Sequence, residues 1–205
     1  MWALVEDNAI TKIINNPKAM VINDVRHSKN IFSFRWTNEE REAIGIYEIV
    51  FDNSNKKDEA YYINTTQSFS YADGQVTASY GTATPKLLED RNETNEDGSP
   101  MLDADGNQVV TKGLKSQKKQ IIKNQASGLL EPTDWHNHKA LDDDTYTIPA
   151  NIKTYRADVR TKSNEMETAI DNVSDVDALK ALYEYTEQAD GSYTRPLGEF
   201  PTLEI

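Results

Sequence analysis

The sequence contains no cysteine among its 205 residues. Disulfides, thiolate nucleophiles and cysteine-bound zinc are therefore excluded. Its nine glycines never gather into Gly-x-x-x-x-Gly-Lys or Gly-x-Gly-x-x-Gly, so neither common phosphate-cradling loop is present. Long apolar runs are missing too, and none approaches the ~20 residues needed to span a bilayer. The segment Met1–Trp2–Ala3–Leu4–Val5–Glu6–Asp7 lacks the basic start and apolar centre of a secretory signal. Positive charge is scarce: 22 Lys and Arg stand against 34 Asp and Glu, a net charge of −12. Such a balance repels phosphate backbones and anionic lipid, so nucleic acid and membrane surfaces are poor partners. Hydrophobic residues are also sparse, at 37%. Aromatic and β-branched residues are nevertheless spread along the chain, which predicts a folded protein with a modest core.

The residues present predict an α+β fold. Trp2–Glu6 and Ile10–Ile14 flank the turn Asp7–Asn8–Ala9 as a β-hairpin. Met20–Val25 reads as an edge strand, and Ile31, Phe32, Phe34 and Trp36 as an aromatic-rich strand or extended segment. Thr37 and Glu40 form a capping box for a short helix that should stop at Gly45. Strands follow at Ile46–Phe51, Tyr61–Ile63, Ser68–Tyr71 and Val76–Tyr80. Asp-Gly turns are expected at Asp73–Gly74, Asp97–Gly98 and Asp105–Gly106. Beyond this strand-rich module (1–111) the spacing of Leu114, Ile121, Ile122, Leu129 and Leu130 becomes helical. A second long helix is predicted from about Ala150 to Asn172, and a third at Asp175–Tyr185 capped by Ser174. Together these give a helical module (112–190) built on a helical hairpin. Residues 191–205 read as an extended C-terminal tail able to lie on a neighbour.

No constellation of reactive side chains stands out. Asp103, Asp105 and Asn107 alternate like the first ligands of a calcium loop. The sixth and twelfth positions, however, hold Gln108 and Leu114 instead of Gly and Glu. Two hairpin turns explain the segment better. His136 and His138 lack a third zinc ligand at a defined spacing, and a polar surface loop is the simpler reading. His27 with Ser28 or Ser33 has no Gly-x-Ser-x-Gly frame around it. Paired carboxylates are too common in this chain for spacing to single out a glycosidase pair. No cofactor, metal or catalytic residue is assigned. The lysines Lys112, Lys115, Lys118, Lys119 and Lys123 form the one basic stretch. They read as a solvated helix face, as partners of the acidic Glu89–Asp105 region, or as a self-complementary contact.

One region carries a resemblance. Ser127–Gly128–Leu129–Leu130–Glu131–Pro132–Thr133–Asp134–Trp135 is followed by Ile148–Pro149–Ala150–Asn151–Ile152–Lys153–Thr154–Tyr155–Arg156–Ala157–Asp158–Val159–Arg160. A Leu-Leu, a Thr-Asp-Trp, a Pro and a Tyr-Arg-x-x-x-Arg in this order resemble the C-terminal segment of bacteriophage tail-fibre assembly proteins (tail assembly chaperones), over residues 127–166. Met1–Trp2–Ala3–Leu4–Val5 with Asn8–Ala9–Ile10, and Trp36–Thr37 leading to Gly45–Ile46–Tyr47, look like N-terminal pieces of phage accessory proteins. The chain departs from shorter members by its strand-rich N-terminal region and by the insertion after Trp135.

The resemblance implies a non-enzymatic phage tail accessory protein that binds tail-fibre or baseplate protein during assembly in the host cytoplasm. The alternative is a structural subunit, a tail-fibre or baseplate component that remains in the virion tail. A cell-wall glycan hydrolase is a distant third. The candidate partner-binding residues are Trp135, Tyr155, Arg156 and Arg160. Trp135 is expected either as a core residue closing the helical hairpin, the placement its usual burial favours, or as an anchor on a partner. Arg156 and Arg160, four residues apart, read as a fork for a partner's carboxylates or as partners of nearby acids in the chain. Self-association is a further expectation.

Overall fold

Two residues in the left-handed region, Asp7 and Asn8, close the hairpin of β1 (Trp2–Glu6) and β2 (Ala9–Ile14). Asx side chains tolerate that region, and the resulting turn matches the twist of paired strands. A computed structural model describes residues 1–203 of the chain. It divides into two compact units, Met1–Thr84 and Pro85–Ile205. Among the described residues no helix is long and apolar enough to cross a membrane.

In the first unit, β1, β2, β5 (Ile46–Asp52), β7 (Ser68–Ala72) and β8 (Gln75–Ser79) form one curled sheet in the order β2-β1-β5-β8-β7. All pairs are antiparallel except β5 with β8. Strand alternation sorts the apolar residues onto two faces. Ala3, Val5, Ile49, Val76 and Ala78 pack on one, with Tyr47, Phe69 and Tyr71 against them. Leu4, Ile14 and Ile46 face the other and are covered by Ile22 and Ile31. The turn between β7 and β8 is the expected Asp73–Gly74.

The segment between β2 and β5 departs from the sequence reading in two places. Met20–Val25 is not one edge strand. It is a second hairpin, β3 (Met20–Ile22) with β4 (Val25–His27), turned at Asn23–Asp24 with both residues at positive φ. Ile31–Trp36 is not a strand either. Lys29–Phe32 forms a 3-10 turn capped by Ser28, and the chain then loops to α1 (Asn38–Glu42). Arg41 is the physical reason. Its guanidinium, buried to 8% exposure, donates to the carbonyls of Ile31, Ser33 and Trp36 at 3.3, 3.1 and 2.8 Å. It also donates to Asn38 Oδ1 at 2.8 Å and lies 4.6 Å from the Trp2 ring centre. Three carbonyls turned toward one cation are unavailable for a strand ladder. The capping box forms as expected, with Glu40 N donating to Thr37 Oγ1 and Thr37 N to Glu40 Oε2.

The Tyr47 and Tyr71 hydroxyls lie 2.9 Å apart within this unit. Their shared hydrogen bond, reinforced by burial, pushes the Tyr47 phenol up to about 12. A phenol whose folded-state value is raised contributes stability that is complete below its ordinary value near 10. That contribution is lost as pH climbs through about 12. Alkaline melting curves should therefore fall more steeply for the native chain than for Tyr47→Phe. Parallel curves would refute the linkage.

Short strands β6 (Tyr62–Ile63) and β9 (Thr84–Pro85) follow, and then a small β-arm. Here β10 (Arg91–Asn92) pairs with β11 (Val110–Thr111). Beyond that pair three short stretches close on one another in a ring: Glu93 N donates to Val109 O, Val109 N to Met101 O, and Met101 N to Glu93 O. The Gln108 amide sits among the same carbonyls, donating to Glu93 O, Met101 O and Val109 O at 2.7, 3.1 and 3.0 Å. The turns at Asp97–Gly98 and Asp105–Gly106 place both glycines at positive φ. Asp103 Oδ1 accepts from the backbone N–H groups of Asp105 and Asn107, which closes the second turn.

In the second unit α2 (Leu114–Leu130) and α4 (Ala150–Asp171) pack as the expected hairpin, with α3 (Asp134–Asp142) between them in sequence. The break between units falls at Thr84, well before 111, because residues 87–90 cap α2. Leu114 N and Lys115 N donate to Leu87 O and Leu88 O, and Gly113 N donates to Asp90 Oδ1. These are the orphan donors of a helix start. Lys112 adds an ion pair to Asp90 at 2.7 Å, and Lys115 pairs with Glu89. Lys119 and Lys123 reach across to Asp171 and Glu167 of α4. The lysine stretch thus serves largely to join α2 to its neighbours.

The third helix, α5 (Val176–Ala181), is shorter than expected, and Asp175 rather than Ser174 caps it, accepting from Ala178 N at 2.8 Å. A final hairpin pairs β12 (Thr186–Glu187) with β13 (Tyr193–Thr194). The tail does not stretch outward. Leu197 is 2% exposed and its N–H donates to Leu182 O, while Phe200 and Leu203 pack against Ala126, Tyr155 and Val159. Three apolar side chains in the last described residues find their burial on this unit's own helices.

Candidate interaction surface

The Leu-Leu, Thr-Asp-Trp and Tyr-Arg elements, far apart in sequence, meet where α2 passes into α3. A helix ends at Leu130 and leaves its last carbonyls without intrahelical partners. Pro132, within the 3-10 turn Glu131–Thr133, prevents a straight continuation. Side chains from α4 meet those carbonyls. Tyr155 Oη donates to Leu129 O at 3.2 Å, and Arg156 Nη1 to Leu130 O at 2.9 Å. Arg156 also donates to Thr133 Oγ1 through Nη1 and to Asp134 Oδ1 through Nη2 at 2.7 Å. Thr133 Oγ1 in turn donates to Leu130 O. The cation rests at the negative end of α2 and Asp134 at the positive end of α3, so both helix dipoles favour the arrangement.

Of the two expectations for Arg156, pairing within the chain is the one the clasp displays, with Asp134 as the acid. Arg156 is 7% exposed, its contacts are internal, and it offers no fork to an outside carboxylate. Arg160 does not join it in one: its Nη1 donates to Arg156 O at 3.1 Å. Tyr155 is likewise buried, at 8%. Arg156 and Tyr155 fix the junction from beneath.

Trp135 is the residue the junction displays. It is 53% exposed rather than closing the core. The inward position on α3 is taken by its neighbour His136, which is 8% exposed. The His136 ring stacks against Trp135 with centres 3.8 Å apart, and its Nδ1 is hydrogen-bonded to Tyr146 Oη. Lys139 Nζ lies 4.3 Å from the Tyr146 ring centre, a cation–π contact on the same surface. His136 and His138 therefore belong to a helix rather than to a polar loop. Leu141, at 80% exposure, lies six residues further along α3, next in sequence to the exposed carboxylate Asp142. Asp143 is engaged by the Thr145 hydroxyl and N–H, which hold its carboxyl below the usual range.

The sequence reading did not single out His136 as a buried support, nor Tyr146 and Leu141 as its companions. Their only signal was the aromatic and apolar spacing at 135, 141 and 146, which no helical period connects. Among the described residues no group of three or more His, Asp or Glu gathers as a metal site would require. The helix, held from below, presents a half-exposed indole, an exposed leucine and exposed carboxylates. No family model matches the sequence, no curated protein matches it, and no solved structure matches its fold.

Proposed function

We propose that this protein is a non-enzymatic phage tail accessory protein whose α3 surface binds a tail-fibre or baseplate protein during tail assembly. One observation carries the reading. The residues through which the sequence resembles tail-fibre assembly proteins fold onto each other as a single clasp, and that clasp leaves Trp135 open. Exposed Trp on a rigid base is the kind of side chain on which interface energy concentrates. Tyr155 and Arg156 then act as positioning residues, and Trp135 with Leu141 as the contact.

Quantitative mass spectrometry of infected-cell lysate and of purified mature particles tests the proposal, with a known tail protein as the internal ratio. An assembly factor is abundant in lysate and missing from particles. Fixed stoichiometry in particles would replace that role with the structural-subunit role. Absence from both would overturn the phage assignment.

A further inference from the structure

The C-terminal segment lies on the second unit without being woven into it. Its last backbone hydrogen bonds run from Leu197 N to Leu182 O and from Gly198 N to Arg195 O. Glu199 is fastened by its side chain, which accepts from Tyr185 Oη at 2.7 Å and pairs with Arg195. Among the described residues no hydrogen bond ties residues 200–203 to the helices. Two apolar side chains hold them instead. Phe200 and Leu203, three positions apart, pack against Ala126, Tyr155 and Val159, with Leu129 and Leu130 on the same cluster. Pro201 between them has no N–H to pair and a fixed φ that suits an extended segment.

Phe200 and Leu203 are themselves only half-buried, so each keeps one side in water. A cleft of 330 Å³, lined by Glu199 and Pro201 together with Asp158, Lys162 and Glu165 of α4, runs beside them. The tail therefore does not fill the surface it crosses. A segment with few buried contacts and an unpaired backbone opens at low free energy, independently of the unit that carries it. Physically these residues are a bound peptide on a tether.

We infer that the groove of Ala126, Tyr155 and Val159 between α2 and α4 is a binding site for an extended segment of a partner protein that presents a Phe and a Leu three residues apart, and that the chain's own tail fills it until that partner arrives. The seated tail argues for this occupant, because it displays the backbone form, the spacing and the side chains that the groove accepts. A short tether holds the tail at a local concentration on the order of millimolar, so the groove of the free chain is closed and a partner must displace the occupant. Tyr155 joins the groove to the α2–α3 junction: it belongs to the apolar cluster, and its hydroxyl donates to Leu129 O. The inference goes beyond the proposed function and does not rest on it.

Fluorescence anisotropy with a labelled peptide of residues 195–203, titrated with the full chain, tests the inference. Phe200→Ala combined with Leu203→Ala removes the tethered anchors and opens the groove. That double variant should bind the peptide with a Kd on the order of 100 µM, as two shallow apolar anchors give. The native chain should bind it about 10-fold or more weakly, because its own tail competes. A peptide carrying Ala at both anchor positions should bind neither. Circular dichroism verifies that the double variant folds, and a second measurement uses the native chain alone. A benzophenone in place of the peptide's Phe200 ring should cross-link to α2 or α4 at peptide concentrations that displace the tail. Cross-links elsewhere, or none, would overturn the inference. So would a folded double variant that fails to bind, equal affinity of native chain and variant, or equal binding of the Ala peptide. A concentration-dependent dimer of the native chain that the double variant loses would replace the partner protein with a second copy's tail. The particle measurement above is unaffected by these outcomes, so the two ideas fail separately.

Discussion

Arg156→Ala is expected to cost about 2 kcal/mol in urea unfolding, because it strands the buried Thr133 oxygen, takes one of two donors from the Leu130 carbonyl and removes the cation from the end of α2. The buried Thr133 hydroxyl loses its donor, which costs about 1–3 kcal/mol, while the Leu130 carbonyl keeps the Thr133 hydroxyl as its one remaining donor. Asp134 contributes less to the loss, since its side chain is 50% exposed and water can replace the guanidinium. Asp134→Asn should accordingly cost under about 1 kcal/mol. Arg156→Lys keeps the charge but offers a single ammonium where a planar fork served three acceptors, so it should recover only part of the loss. A destabilisation by Arg156→Ala within about 0.5 kcal/mol, the usual range for surface changes, would mean that the clasp does not hold the junction.

Gly45→Ala should damage the first unit comparably. Gly45 has φ +81°, and a methyl group built there would stand 2.6 Å from Val5 O. That carbonyl belongs to β1, and Val5 N donates to Gly45 O at 2.8 Å. The chain therefore passes against β1 at the end of α1, with no room to retreat. The left-handed conformation alone costs a non-glycine residue about 1–2 kcal/mol. Gly74 isolates that part, since its φ is +74° and nothing lies within 4 Å of a methyl group there. Gly74→Ala should cost about 1 kcal/mol and Gly45→Ala at least twice as much. Equal losses in denaturant midpoint would show that the close approach relaxes freely.

Local chemistry was legible in the sequence. The Thr37–Glu40 capping box, the Asp-Gly turns and the α4 boundaries depend on neighbours a few residues away, and they stand where periodicity and capping rules place them. The misreadings have long-range causes. Alternating aromatic residues at Phe32, Phe34 and Trp36 suit a strand, but Arg41, five to ten residues downstream, gathers the carbonyls of Ile31, Ser33 and Trp36. Proline-bearing residues 191–205 suit a free tail, but the groove beside Ala126 and Val159 exists only once α2 and α4 have paired. Trp135 and Arg156 were legible as residues of interest, yet the sequence left open which of them is buried, and Trp135 lies more exposed than its usual burial favours. Which of two adjacent helical residues faces inward depends on the helix's rotation about its axis. Here that rotation is set by His136 and Tyr146, and the sequence alone carries no measure of it.

Arg41 has a consequence for the range of conditions the molecule withstands. The contacts that shape the Phe34 loop join a guanidinium to three amide carbonyls and a carboxamide. None of these groups is an imidazole or a carboxylate, the side chains whose charge changes in mildly acidic media. A loop braced by histidine or by a carboxylate would soften on acidification. This one has no such group among its braces.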